Sequence, residues 1–94
     1  MTVRMHTYRV SPDDLTEFLS RRAAFVAELR TEHPGLARVQ LIRLQDGTYR
    51  DTWHWDSFDQ MAAAFPAAGS PPAAAIWSLT TDADAQNGEL VDDH

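Results

Sequence analysis

The sequence predicts an α+β domain in which one antiparallel sheet carries its helices on a single face. Three observations predict it. Alternating segments rich in β-branched and aromatic residues recur at 2–10, 36–44 and 48–56. Two segments with helical apolar spacing, one before Pro34 and one before Pro66, separate or follow them. Asp46-Gly47 lies between the second and third strand segments and reads as a hairpin turn. The order β-α-β-β-α-(α)-β is the split β-α-β arrangement of the ferredoxin-like class. Residues 1–94 suit one domain.

The first strand, TVRMHTYRV, gives way to Ser11-Pro12-Asp13-Asp14. Ser11 is placed to cap a helix, Pro12 suits its first position, and the two acids sit at the positive end of its dipole. Leu15, Phe18, Leu19, Arg22, Phe25, Val26 and Leu29 then fall on one stripe. The helix must end by His33, because Pro34-Gly35 follows. LARVQLIRL forms the second strand and TYRDTWHWD the third. Ser57 caps the next helix, and Gln60 completes a capping box. That helix carries Phe58, Met61, Ala62 and Phe65 on its apolar stripe and ends at Pro66. Ser70-Pro71-Pro72 opens a short third helix, and DADAQNGELVD is extended, its latter part a short last strand.

Composition excludes several functions. With no cysteine, disulfides, thiolate metal sites and cysteine nucleophiles are ruled out. A formal net charge of −6 argues against nucleic acid as a partner. The excess sits in the tail as Asp82, Asp84, Glu89, Asp92 and Asp93, and reads as a solvated end. No apolar run approaches the ~20 residues that cross a bilayer, so no membrane association is expected. The first residues lack signal-peptide features, and a cytoplasmic location is the expectation.

The strands carry apolar residues at both parities: Val3, Met5, Val39, Leu41, Trp53 and Trp55 against Tyr8, Val10, Ile42 and Leu44. Two helices cover one face of a sheet, so the other face is expected to meet a second copy in a homodimer.

The chain resembles the antibiotic biosynthesis monooxygenase-like family of dimeric α/β barrels. The resemblance rests on YRVSPDDLTEFL (8–19), HPGLARVQLIR (33–43), DGTYRDTWHWDSFDQM (46–61) and NGELVD (87–92). Within these, Pro34-Gly35 and Trp55-Asp56-Ser57 match features at the joins between elements. The resemblance implies a homodimer and a pocket between sheet and helices that takes a small aromatic or apolar ligand. Some members are cofactor-free oxygenases of aromatic polyketides and others degrade haem. The haem-degrading branch has an Asn on the first strand, a Trp in the second helix and a His about ten residues later. This chain has His6 in the first region and alanines at the other two positions, so haem degradation is not expected.

His6 and His54 are the candidate catalytic residues. Both are even-numbered and sit on strands that neighbour each other in this class, so a register of matching parity places them on one face. Two imidazoles there serve as acid and base, or bind a metal with a third ligand. Asp51 has the other parity and is expected to point away, so no metal site is expected. Tyr8 is a candidate donor to a developing oxyanion, and Phe58, Met61, Phe65 and Trp77 are candidate substrate-binding walls. Trp77, on a short helix behind a Gly-Ser-Pro-Pro hinge, is also a candidate lid. Trp53 and Trp55 read as core. His33 suits the negative end of the first helix. Arg43 and Arg50 are a candidate carboxylate clamp, or charged residues solvating a sheet edge.

No nucleophile triad, Gly-rich phosphate loop or flavin fingerprint occurs, so no bound cofactor is expected. Two functions compete. One is a cofactor-independent monooxygenase acting on an aromatic or polyketide-like molecule, in which the substrate itself reduces O2. The other is a non-catalytic dimeric module that binds a small ligand or serves an accessory role.

Overall fold

Thr2–Val10 form β1, the strand around which the protein is built. A computed structural model describes residues 1–94. After β1 comes a 3-10 turn, Pro12–Asp14, then α1 (Leu15–Glu32), β2 (Leu36–Arg43) and β3 (Tyr49–Trp55). Three short helices follow, α2 (Phe58–Ala63), α3 (Phe65–Ala68) and α4 (Pro71–Trp77), before β4 (Thr80–Glu89) closes the chain. The antiparallel sheet has the order β2-β3-β1-β4, the expected ferredoxin-like topology. No helix is long and apolar enough to cross a membrane.

Local chemistry accounts for the joins. Ser57 accepts the Gln60 backbone N–H at 3.2 Å, and its hydroxyl meets the Gln60 side chain at 3.1 Å, so the capping box forms. Ser11 differs from expectation. Its side chain makes no cap bond, and its carbonyl instead accepts from Asp14 N at 2.9 Å to close the 3-10 turn. Pro66 does not simply end the second helix. It sits in the first turn of α3, where its missing N–H costs nothing. β4 is longer than expected and starts earlier, at Thr80.

The β2–β3 hairpin turns through Gln45-Asp46-Gly47, with Leu44 N donating to Thr48 O at 2.8 Å. Gly47 takes φ 87°, where a side chain would be strained. The loop has an odd number of residues, so the two strands pair odd with odd: Leu41 with Asp51 and Arg43 with Tyr49. Arg50 pairs with Ile42 on the other face, and Arg43 and Arg50 therefore form no clamp.

The β1–β3 register has the opposite parity. His6 pairs with Asp51, and Val3 pairs with His54. Two expectations are thereby corrected. His6 and His54 lie on opposite faces of the sheet, and Asp51 shares the face of His6. A register slip of one residue exchanges faces along a whole strand, and residue numbers alone do not show the register.

The same parity gathers the apolar residues. Tyr8 and Val10 of β1 join Tyr49, Trp53 and Trp55 of β3 on the helix face, with Val39 and Leu41 of β2 beside them. Phe18, Phe25 and Leu29 of α1, Met61 of α2, and Ala73 and Ile76 of α4 complete the core. Leu19 stands outside it, exposed. The second face keeps Val3, Met5 and Ile42 among Arg38, Gln40, Arg50, Thr52 and His54. It is a mixed surface, not the second apolar face that the strand composition implied.

Candidate functional site

A cavity of about 110 Å³ lies between the helix face of the sheet and the short helices. Arg4, His6, Trp53 and Trp55 form its floor, and Phe25 and Leu29 of α1 form one wall. Met61, Ala64, Phe65, Ala67, Ala68 and Trp77 form the other. Only Arg4 and His6 on this lining are polar residue types. Phe25, Leu29 and Ala67 also border a wider groove, whose rim carries Glu28, Glu32 and His33.

His6 is half-buried on the cavity wall. The indole of Trp77 stacks on its ring, with centroids 5.1 Å apart and planes 27° apart. Burial lowers its pKa below the ordinary histidine value, and the Arg4 guanidinium lowers it further, against an opposing pull from Asp51. At neutral pH the imidazole is therefore uncharged and able to accept a proton.

Behind His6 lies a buried polar cluster. Asp51 is fully buried. It accepts two hydrogen bonds from Arg22, Nε at 3.0 Å and Nη2 at 2.6 Å, and a third from the Tyr8 hydroxyl at 2.6 Å. The Arg22 guanidinium also lies 5.6 Å from the Trp53 ring centroid. Burial and the neighbouring carboxylate raise the Tyr8 pKa well above the usual phenol value, so the phenol stays protonated. A carboxylate buried inside a sheet is tolerable only when paired and hydrogen-bonded in this way.

The structure divides the sequence candidates. His6, Met61, Phe65 and Trp77 come together around the cavity. Phe58 does not: it is exposed, because the capping box turns the first residue of α2 outward. Tyr8 is almost fully buried and off the cavity lining, with its hydroxyl donated to Asp51, so it is not a free oxyanion donor. His54 is on the opposite face, 3.3 Å from the Thr52 hydroxyl, and its pKa is lowered by burial and then by Arg38. Trp53 and Trp55 are core residues that also floor the cavity. His33 caps the end of α1, its N–H donating to Leu29 O at 2.7 Å. No group of three His, Asp or Glu side chains is arranged to hold a metal ion.

Arg4, Asp51 and Arg22 were not candidates from sequence. Arg22 had a signal, since an arginine within an apolar helical stripe needs a buried partner. Arg4 had none: one arginine in an alternating strand segment is unremarkable in sequence.

The architecture has close counterparts among solved structures. The chain is similar to SnoaB from Streptomyces nogalater, a cofactor-independent oxygenase, with a TM-score of 0.78 and 21% identity over 98% of this chain and 94% of that one. It is similar to a protein named antibiotic biosynthesis monooxygenase, with a TM-score of 0.71 and 13% identity over 98% of this chain and 100% of that one. The chain has the antibiotic biosynthesis monooxygenase fold. It is also similar to the heme-degrader MhuD from Mycobacterium tuberculosis, with a TM-score of 0.67 and 25% identity over 100% and 99% of the two chains. No family profile matches the sequence, and no curated protein does.

Proposed function

We propose that this protein is a cofactor-independent monooxygenase acting on a small aromatic or enolisable molecule. One observation carries the reading: an imidazole kept neutral by burial lines a cavity whose other side chains, Arg4 apart, are apolar. The similarity to a cofactor-independent oxygenase supports it. In this chemistry the substrate supplies the electrons. His6 takes one proton, from an activated methylene or from the hydroxyl of its enol form, and the anion that either gives reduces O2 at carbon. The methylene becomes a carbonyl, one oxygen atom enters the product, and the other leaves as water with the two hydrogens. Four electrons leave the carbon and four enter O2, so no further reductant is needed. Trp77, Met61 and Phe65 exclude water and orient the ring. Two copies packed through the outer sheet faces, with Met5 and Ile42 at the contact, form the working unit.

The cavity volume favours a second reading. At about 110 Å³ the space is of the order that holds one ring, well below the ~300 Å³ at the lower end of ordinary small-molecule sites. A non-catalytic module for a small apolar ligand fits that volume without rearrangement. A polycyclic substrate requires α3 and α4 to move outward. Oxygen uptake separates the two readings. Enolisable single-ring and polycyclic phenols are offered to the wild type and to His6→Ala. The enzyme reading expects O2 consumption with product formation, and a loss of about 10²–10⁴-fold in His6→Ala, the usual worth of a positioned base. Turnover unchanged in His6→Ala, or tight binding with no O2 consumed, overturns it.

A further inference from the structure

The cavity lining holds a second polar group beside His6. Arg4 is two residues away on β1 and on the same face of the sheet. Three of the eight arginines pair with a carboxylate, and Arg4 is among the five that do not. Arg9, Arg21 and Arg22 are each ion-paired with a carboxylate, to Asp82, Glu17 and Asp51. Arg4 has no such partner. Its Nη1 donates at 2.9 Å to the Asn87 side-chain oxygen, a neutral acceptor. A guanidinium carries five N–H donors, so most of its hydrogen-bonding capacity is left over. It is also half-buried against apolar walls, where a cation interacts more strongly than in water.

We infer that Arg4 is the site's anion-binding residue, and that the ligand is a single planar ring bearing an acidic hydroxyl, a phenol or enol, whose oxygen ends at Arg4. The inference rests on the proposed oxygenase reading and deepens it by naming the substrate class. The rim of the adjoining groove carries Glu28 and Glu32, which disfavour the approach of an anion. The ligand therefore enters neutral and ionises inside. The proton leaves the hydroxyl for the His6 imidazole, giving imidazolium, and the electron pair left on oxygen faces the Arg4 guanidinium. Nothing is oxidised in this step. Arg4 takes the role that sequence reasoning gave to Tyr8, whose hydroxyl is committed to Asp51.

The probe is 4-nitrophenol, whose phenolate absorbs visible light while the neutral form does not. Burial in an apolar cavity without a cation favours the neutral phenol. The sign of the change on binding is therefore diagnostic. With protein in excess at a pH near the probe's own pKa, the ratio of ionised to neutral probe is expected to rise about tenfold over the free ligand, one pKa unit. Arg4→Met is expected to bring the ratio to that of free probe or below, while calorimetry shows that the neutral ring still binds. Arg4→Lys keeps the charge and is expected to keep most of the rise, which separates lost charge from lost structure. His6→Ala is expected to retain part of it. A ratio that falls on binding to the wild type, an Arg4→Met protein that keeps the rise, or no binding of either form overturns the inference. Oxygen uptake reports separately on the broader reading. A phenolate shift without O2 consumption removes the oxygenase and leaves Arg4 in place. O2 consumption unaffected by Arg4→Met does the reverse.

Discussion

Asp51→Ala is the sharpest test of what holds the site together. The wild-type carboxylate is fully buried and accepts three hydrogen bonds, two from Arg22 and one from Tyr8. The Arg22 side chain is itself only 13% exposed. Removing Asp51 leaves an uncompensated, largely buried guanidinium, which costs about 3–5 kcal/mol. The orphaned Tyr8 hydroxyl adds to this, since an unsatisfied buried donor costs about 1–3 kcal/mol. The two terms overlap, so at least ~3 kcal/mol is expected from a domain whose whole stability is of order 5–15 kcal/mol. At about 4–8 °C per kcal/mol for a chain of this size, the melting temperature falls by about 12 °C or more. Urea unfolding followed by tryptophan fluorescence measures the loss directly. Replacing the pair together, as Asp51→Leu with Arg22→Met, is expected to restore the part owed to the unpaired guanidinium, because well-packed apolar residues substitute for a buried ion pair at little or no cost, while the Tyr8 hydroxyl stays without its acceptor. A loss below ~1 kcal/mol in Asp51→Ala, or a double variant no better than the single, refutes the reasoning.

The other predictions are smaller in scope. The chain has no lysine and no cysteine, so neither residue type titrates in the alkaline range where Tyr8 is examined. Tyr8 has a raised folded pKa, so the stability it contributes is full below the unfolded value near pH 10 and is lost as pH rises beyond it. Tyr8→Phe is expected to flatten that alkaline limb in thermal melts, besides losing about 1.5–3 kcal/mol from the bond to a charged acceptor. For His6 the sign reverses. Its folded pKa is depressed, so the stability it contributes is present above about pH 6.5 and lost as pH falls below it. If His6 is the base, kcat/KM rises with pH along a limb whose midpoint lies below pH 6.5. Ser57→Ala removes the cap of α2 and is expected to lower stability by about 0.5–2 kcal/mol in the same urea assay.

Most of the fold was legible because its signals are local. Pro34-Gly35, Asp46-Gly47 and the Ser57–Gln60 box each act within a few residues, and each join lies where those residues place it. The site was less legible because it depends on register, which is a relation between distant strands. His6 and His54 look equivalent in sequence, and only the pairing of His6 with Asp51 separates them. The same relation removes the case for a second apolar face, since it moves Trp53, Trp55, Val39 and Leu41 beside Tyr8 and Val10. Parity also explains why one polar cluster sits in the core. β1 and β3 bring Tyr8 and Asp51 to the same face, and α1 sets Arg22 above them in the stripe that buries Phe18 and Phe25. Once the carboxylate is buried, the guanidinium and the phenol must attend it, so neither is free for a ligand. That leaves the cavity with His6 and Arg4 as its polar groups. A neutral base beside a cation with no carboxylate partner is the pair that the proposed activity would use to make and hold an anion.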